Sequence, residues 1–186
     1  MTSVQYIPPR LDAIRFVPES VICCFQFQEK KPLKGIAGLI DWRMLGCVSR
    51  LRIADTWEAG FGERLLVMPG NRLPASYIVL FGCGREADFT ETVYTELLTQ
   101  MIGCAREMRA SRIVLSPPGR SEDLISGEAA IRLFFQNCPA IMCNESEFSF
   151  TIMDSLEIQS IIESESERHR LRTDLTPLNT GRTFTS

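Results

Sequence analysis

Ser76-Tyr77-Ile78-Val79-Leu80-Phe81-Gly82-Cys83-Gly84-Arg85-Glu86 is the stretch that decides the fold. Ser76–Phe81 is a near-continuous apolar run of strand length, and such a run reads as a central strand covered on both faces. Gly82-Cys83-Gly84 stops it with a turn. Asp88 or Thr90 is then placed to cap a long helix. Val93, Tyr94, Leu97, Leu98, Met101, Cys104, Ala105 and Met108 form its apolar stripe, with Glu91, Glu96 and Gln100 away from the stripe's centre. A buried strand, a glycine turn and a helix make half of a crossover unit.

Working outward, the same alternation repeats. Upstream, Val4–Ile7 reads as an edge strand stopped by Pro8-Pro9, and Val21–Phe27 as a strand of β-branched and aromatic residues. Gln28–Lys34 is a charged loop. Ile36, Leu39, Ile40, Met44, Cys47, Val48 and Leu51 fall at helical spacing and predict one amphipathic helix from Gly35 to about Ile53. Arg64–Met68 is a strand closed by Pro69-Gly70-Asn71-Arg72. Downstream, Arg112–Leu115 is a short buried strand ended by Pro117-Pro118-Gly119. Ser121, with Glu122 and Asp123, predicts the start of a helix that reaches about Asn137. Ala140–Cys143 is apolar but too short to assign. Phe148–Met153 alternates as a strand does. Asp154-Ser155-Leu156-Glu157 has the capping-box pattern and predicts a last helix to about Arg172. The polar segment 173–186 is expected to be a disordered tail. The fold class is therefore an α/β domain over 1–172, with a mixed, mostly parallel central sheet and crossover helices on both faces.

Composition narrows the function. Twenty Lys+Arg against 23 Asp+Glu leave a net charge of −3, which argues against a dedicated nucleic-acid binder. A hydrophobic content of 45% excludes disorder over most of the length. No apolar run approaches the ~20 residues that cross a bilayer. The first residues lack a basic segment followed by an apolar one, so a cytoplasmic location is expected. Seven cysteines, at 23, 24, 47, 83, 104, 138 and 143, form no CxxC pair. They read as reduced and mostly buried, with Cys23 and Cys24 on opposite faces of a strand. The single histidine, His169, lies in a polar helix, which speaks against a hydrolytic triad.

Gly62-Glu63-Arg64-Leu65-Leu66-Val67-Met68-Pro69 and Tyr77–Glu86 resemble two consecutive pieces of the N-terminal domain of the leucyl aminopeptidases, the hexameric two-metal cytosolic exopeptidases. In that family a G-x-T-L-L-L-P strand precedes an R-I-L-L-I-G-x-G-K strand and loop, then a long helix. The Leu39–Leu51 segment looks like the family's first helix, and the resemblance runs from about residue 3 to 171. It implies a three-layer α/β/α macro-like fold with a C-terminal helix, 154–172 resembling the connector to a catalytic domain. The family's catalytic lysine, aspartates and glutamate surround an N-T-D-A-E-G-R motif that does not occur here. Asp41, Asp55, Asp88, Asp123 and Asp154 fall on different elements. No catalytic residue, metal ligand or cofactor carries over, and no enzymatic activity is expected of these residues.

Two candidate sites remain. Gly82, Gly84 and Arg85 stand where open α/β sheets bind ligands, the glycines allowing close approach and Arg85 able to meet a phosphate; the plainer alternative is a tight turn with a solvent-facing arginine. Leu39, Trp42, Arg43 and Gly46 could form a contact with a partner, since Trp and Arg are enriched at interface hot spots. The plainer alternative there is an arginine snorkelling at the stripe edge, paired with Asp41 or Asp55. Ser116–Ser121 reads as a rigid turn before an acidic helix start, and the cluster Glu165, Glu167, Arg168, Arg170 and Arg172 as a solvated helix end. The expected function is a non-catalytic assembly or protein-interaction module that joins copies of itself or a separate catalytic subunit. The alternative is a macro-type binder of ADP-ribose or a related nucleotide.

Overall fold

The structure is a computed structural model that describes residues 2–10, 12–16, 18–29, 32–142 and 148–171. Six strands form one sheet: β1 Ser3–Ile7, β2 Val21–Gln26, β3 Arg64–Val67, β4 Tyr77–Gly82, β5 Arg112–Leu115 and β6 Ser149–Met153. Their order is β1-β6-β5-β2-β4-β3. All neighbours are parallel except β3, which runs antiparallel to β4. Each parallel pair requires a crossover, and the helices supply them. This is the mixed, mostly parallel α/β sheet that the strand–helix alternation predicts.

The strand period of two splits the core into two layers. Cys23, Phe25, Val79 and Phe81 point to one face, where they meet helices α3 Glu91–Glu107, α4 Gly127–Asn137 and α6 Gln159–Arg168. Ile22, Cys24, Ile78 and Leu80 point to the other, under α1 Gly35–Arg43 and α2 Cys47–Ile53. Tyr94, Leu97, Phe134 and Phe150 are fully buried in the first layer. Burial of each such side chain contributes roughly 1.5–3 kcal/mol. The second layer is narrower. Beyond α1 and α2, strands β1 and β6 present a polar ladder there, with Gln5 Nε2 donating to Thr151 Oγ1 at 2.5 Å.

Four expectations need correction. The single helix over 35–53 is two helices. Leu45 (φ 58°) and Gly46 (φ 71°) take left-handed backbone, and the Gly46 N–H donates to the Asp41 carbonyl. The apolar spacing hides this break, because both segments face the same core. The helix expected from Ser121 starts at Gly127, capped by Ser126 Oγ, which accepts from the Ala129 N–H. Asp123 has φ 59° and belongs to the preceding turn, so Glu122 and Asp123 do not occupy a helical first turn. Asp154 is not a helix cap. It pairs with Arg120, and a 3-10 turn over Leu156–Ile158 leads into α6. That helix ends at Arg168, short of the expected Arg172. The unassigned apolar stretch holds a short helix, α5 Pro139–Met142. Cys143, Arg172 and the expected tail 173–186 lie outside the described residues.

Among the described residues no helix is long and apolar enough to cross a membrane. Of the six described cysteines, Cys23, Cys24, Cys83, Cys104 and Cys138 are buried free thiols, and Cys47 is half-buried.

Candidate functional site

The carboxyl ends of β2 and β4 open into a crevice at the position where α/β sheets hold ligands. Gln26, Phe27 and Glu29 line it from the end of β2. Glu86 follows the glycine turn after β4, Glu122 comes from the turn after β5, and Arg52 reaches in from α2. Arg52 is buried. Its Nη2 donates to the carbonyl oxygens of Phe27 (2.9 Å) and Glu29 (2.8 Å), and its Nη1 to Gln26 Oε1 (3.4 Å). Burial pushes its pKa down, and the carboxylates of Glu122 and Glu29 oppose that. Glu29 is also tied in, its Oε1 accepting from the Glu86 N–H at 2.9 Å. The space left is about 30 Å³. That suits one or two waters, whereas a ligand pocket needs roughly 300–1,000 Å³.

The glycine turn is built against the chain itself. A Cβ on Gly82 would stand 2.0 Å from the Gly60 carbonyl oxygen, so the 59–60 backbone occupies the space that a side chain would fill. Gly84 has φ 74°, the left-handed region that favours glycine. The Gly82, Cys83 and Gly84 N–H groups donate to the carbonyls of Glu63, Gln26 and Ala59. Arg85 projects into solvent and pairs with Asp88 at 2.8 and 3.1 Å.

The second candidate lies at the α1–α2 corner. Asp41 holds it rigid. Its Oδ1 accepts from the Val48 (2.8 Å) and Ser49 (3.2 Å) N–H groups, and Ser49 Oγ donates to its Oδ2 at 2.5 Å. One carboxylate at the end of the first helix thus caps the second. Trp42 stands on this corner with 71% of its surface exposed, beside the exposed Leu45. Leu39 and Gly46 are half-buried there. Arg43 lies on the exposed side of α1, outside the apolar stripe. Its Nε donates to the Arg72 carbonyl at 3.0 Å, while the Asp41 carboxylate is engaged by α2.

The sequence reading missed two groups. Arg52 shares the inward face of α2 with Val48, four residues earlier, a spacing that the expected 35–53 helix already contained. Glu165 is the other: its side chain is 1% exposed, not solvated. Arg168 Nη1 lies 3.1 Å and Arg132 Nε 3.8 Å from its carboxylate, and the His169 ring leans on Phe135 at 5.5 Å.

No family model matches the chain. In sequence it is 28% identical over 93 residues to a probable cytosol aminopeptidase of Alkaliphilus metalliredigens, a match covering 50% of this chain and 19% of that protein. It is 26% identical over 99 residues to the corresponding protein of a Sulfurihydrogenibium species, covering 53% and 20%. In fold it is similar to a mutant macrodomain of Oceanobacillus iheyensis with ADPR (TM-score 0.68, 13% identity, 88% of this chain and 91% of that one). It is also similar to a tomato leucine aminopeptidase mutant (TM-score 0.61, 13% identity), covering 91% of this chain but 36% of that one. The chain resembles the macro-like N-terminal domain of the cytosol aminopeptidases.

This macro-like domain spans about a fifth of the length of the curated relatives it matches. Among its described residues no group of three or more His, Cys, Asp or Glu side chains could hold a metal ion.

Proposed function

We propose that the chain is a non-catalytic interaction module that docks on a separate protein subunit through the α1–α2 corner. The observation that carries this reading is Trp42, a large, rigid apolar side chain held out in solvent by a corner whose geometry Asp41 fixes. An exposed tryptophan beside an exposed leucine and an arginine has the composition of an interface anchor. The test is capture of partners from the native cell by tagged wild-type protein and by Trp42→Glu. A defined partner retained by the wild type and lost in the variant supports the reading. Equal capture by both, or no partner at all, overturns it.

A second reading is supported by the fold. Two of the similar structures are Oceanobacillus iheyensis macrodomains with ADP and with ADPR. On this reading ADP-ribose enters the crevice at the carboxyl ends of β2 and β4, near Gly84 and Arg85, after Arg52 swings out. Titration calorimetry with ADP-ribose on the wild type and on Arg52→Ala separates the readings. Heat that grows in the variant favours the nucleotide. Absence of heat in both proteins removes it.

A further inference from the structure

The geometry points to β3 as a self-pairing edge, joining the β3 of a second copy of this chain antiparallel about a two-fold axis at Leu66. The inference shares the assembly reading above but uses a different surface and a different partner.

Among the described residues β3 is the last strand of the sheet, and β4 is its only strand neighbour. The Gly82 N–H donates to the Glu63 carbonyl, which fixes the alternation along the pair. The Glu63 carbonyl faces β4 while its N–H donates to the Gly60 carbonyl; by the alternation of the pair, Leu65 and Val67 turn their backbone groups toward β4, so Arg64 and Leu66 turn theirs outward. Those outward N–H and C=O groups are spaced as a second strand meets them. The side chains agree. Leu65 and Val67 pack toward α1 and α2, while Leu66 (54% exposed) and Met68 (64% exposed) leave apolar surface in solvent.

Edges that avoid pairing carry charges at such positions. Here Arg64 is the one charged outward position, and its Nη1 lies 3.6 Å from Glu107 on α3. A two-fold at Leu66 sets Leu66 against Leu66 and Arg64 against Met68, so the two arginines never face each other and each keeps its glutamate. The strand Arg64-Leu65-Leu66-Val67-Met68 supplies both the β propensity and the alternation that its own edge requires. A second copy is therefore a complementary occupant, and the contact is isologous and closes at two.

Light scattering over a dilution series tests this, with Leu66→Lys, Trp42→Glu and Leu66→Cys alongside the wild type. A concentration-dependent dimer is expected. Leu66→Lys should weaken it about tenfold or more with an unchanged circular dichroism spectrum, and Trp42→Glu should leave it intact. Directly opposed residues in this register have Cα atoms about 5.5 Å apart, within disulfide reach, so Leu66→Cys should form a covalent dimer on mild oxidation. Ile53→Cys, exposed on the other side of the sheet, should not. A wild type monomeric throughout, with no Leu66→Cys cross-link, overturns the inference while leaving docking through the Trp42 corner standing. A dimer lost in Trp42→Glu but kept in Leu66→Lys also overturns it and assigns self-association to that corner.

Discussion

The guanidinium of Arg120 grips both carboxylate oxygens of Asp154, with Nε 2.8 Å from Oδ2 and Nη2 3.0 Å from Oδ1. Both side chains are nearly buried, and Arg120 Nη1 also donates to the Ile125 carbonyl at 3.0 Å. The pair ties the end of β6 to the turn between β5 and α4. Removing one partner strands the other charge away from water, which costs far more than the pair itself contributes. Arg120→Ala should lower stability by about 3 kcal/mol, read as a fall in the urea midpoint at unchanged slope. Arg120→Met combined with Asp154→Leu should recover most of that loss. A double variant as unstable as the single one would count against the burial argument.

Asp41 should be the most sensitive polar residue of the first two helices. Its carboxylate accepts from two backbone N–H groups of α2 and from the Ser49 hydroxyl. Asp41→Ala leaves those donors unmatched in a buried place and should cost roughly 2 kcal/mol. Asp41→Asn keeps one acceptor oxygen and should cost less. Hydrogen exchange at Val48 and Ser49 locates the effect, since their amides should lose protection before those of β2.

Gly82 should tolerate no side chain. The Cβ of an alanine would stand 2.0 Å from the Gly60 oxygen and 2.7 Å from the Ala59 carbonyl carbon, both backbone atoms that cannot rotate away. Gly82→Ala should therefore destabilise by about 3 kcal/mol or prevent folding. Ala59→Gly should not rescue it, because the obstructing atoms are main chain.

The thiols give a pH dependence. Burial pushes the Cys24 and Cys138 thiols up to about 12 from an ordinary 9.0, and pushes Cys23 and Cys83 up as well. A thiol whose folded pKa is raised favours the folded state fully below the unfolded value. That contribution shrinks as the unfolded chain ionises above about 9 and is gone once the folded thiol ionises near 12. Urea midpoints should fall steadily across that alkaline window. At neutral pH, peptide mass spectrometry after brief alkylation should find label on half-buried Cys47 and none on Cys23, Cys24, Cys83 or Cys138 until the protein is unfolded.

The strands were legible because their signals are local. Phe148–Met153 alternates in sequence as it does in the sheet, and Val21–Phe25 is apolar throughout because β2 is covered on both sides. Helix α3 was legible for the same reason, its stripe and its Thr90 cap lying within one segment. The missed features depend on distant partners. Asp154 has the spacing of a cap, yet Arg120, 34 residues earlier, claims its carboxylate. Glu165 has the look of a surface charge until Arg132 on α4 and Arg168 cover it.

The motif pieces at 62–69 and 77–86 carried the likeness to the aminopeptidase N-terminal domain. By itself, the order of apolar runs, turns and amphipathic stripes determined an α/β sheet and the placing of a glycine turn at its carboxyl edge. These follow from hydrophobic periodicity, a property of neighbours along the chain. Only the tertiary structure decided that Arg52 fills the crevice, that Trp42 stands in solvent and that β3 is the last strand of the sheet among the described residues. Each of these depends on which charges and surfaces find a partner through space, and a linear pattern does not carry that information.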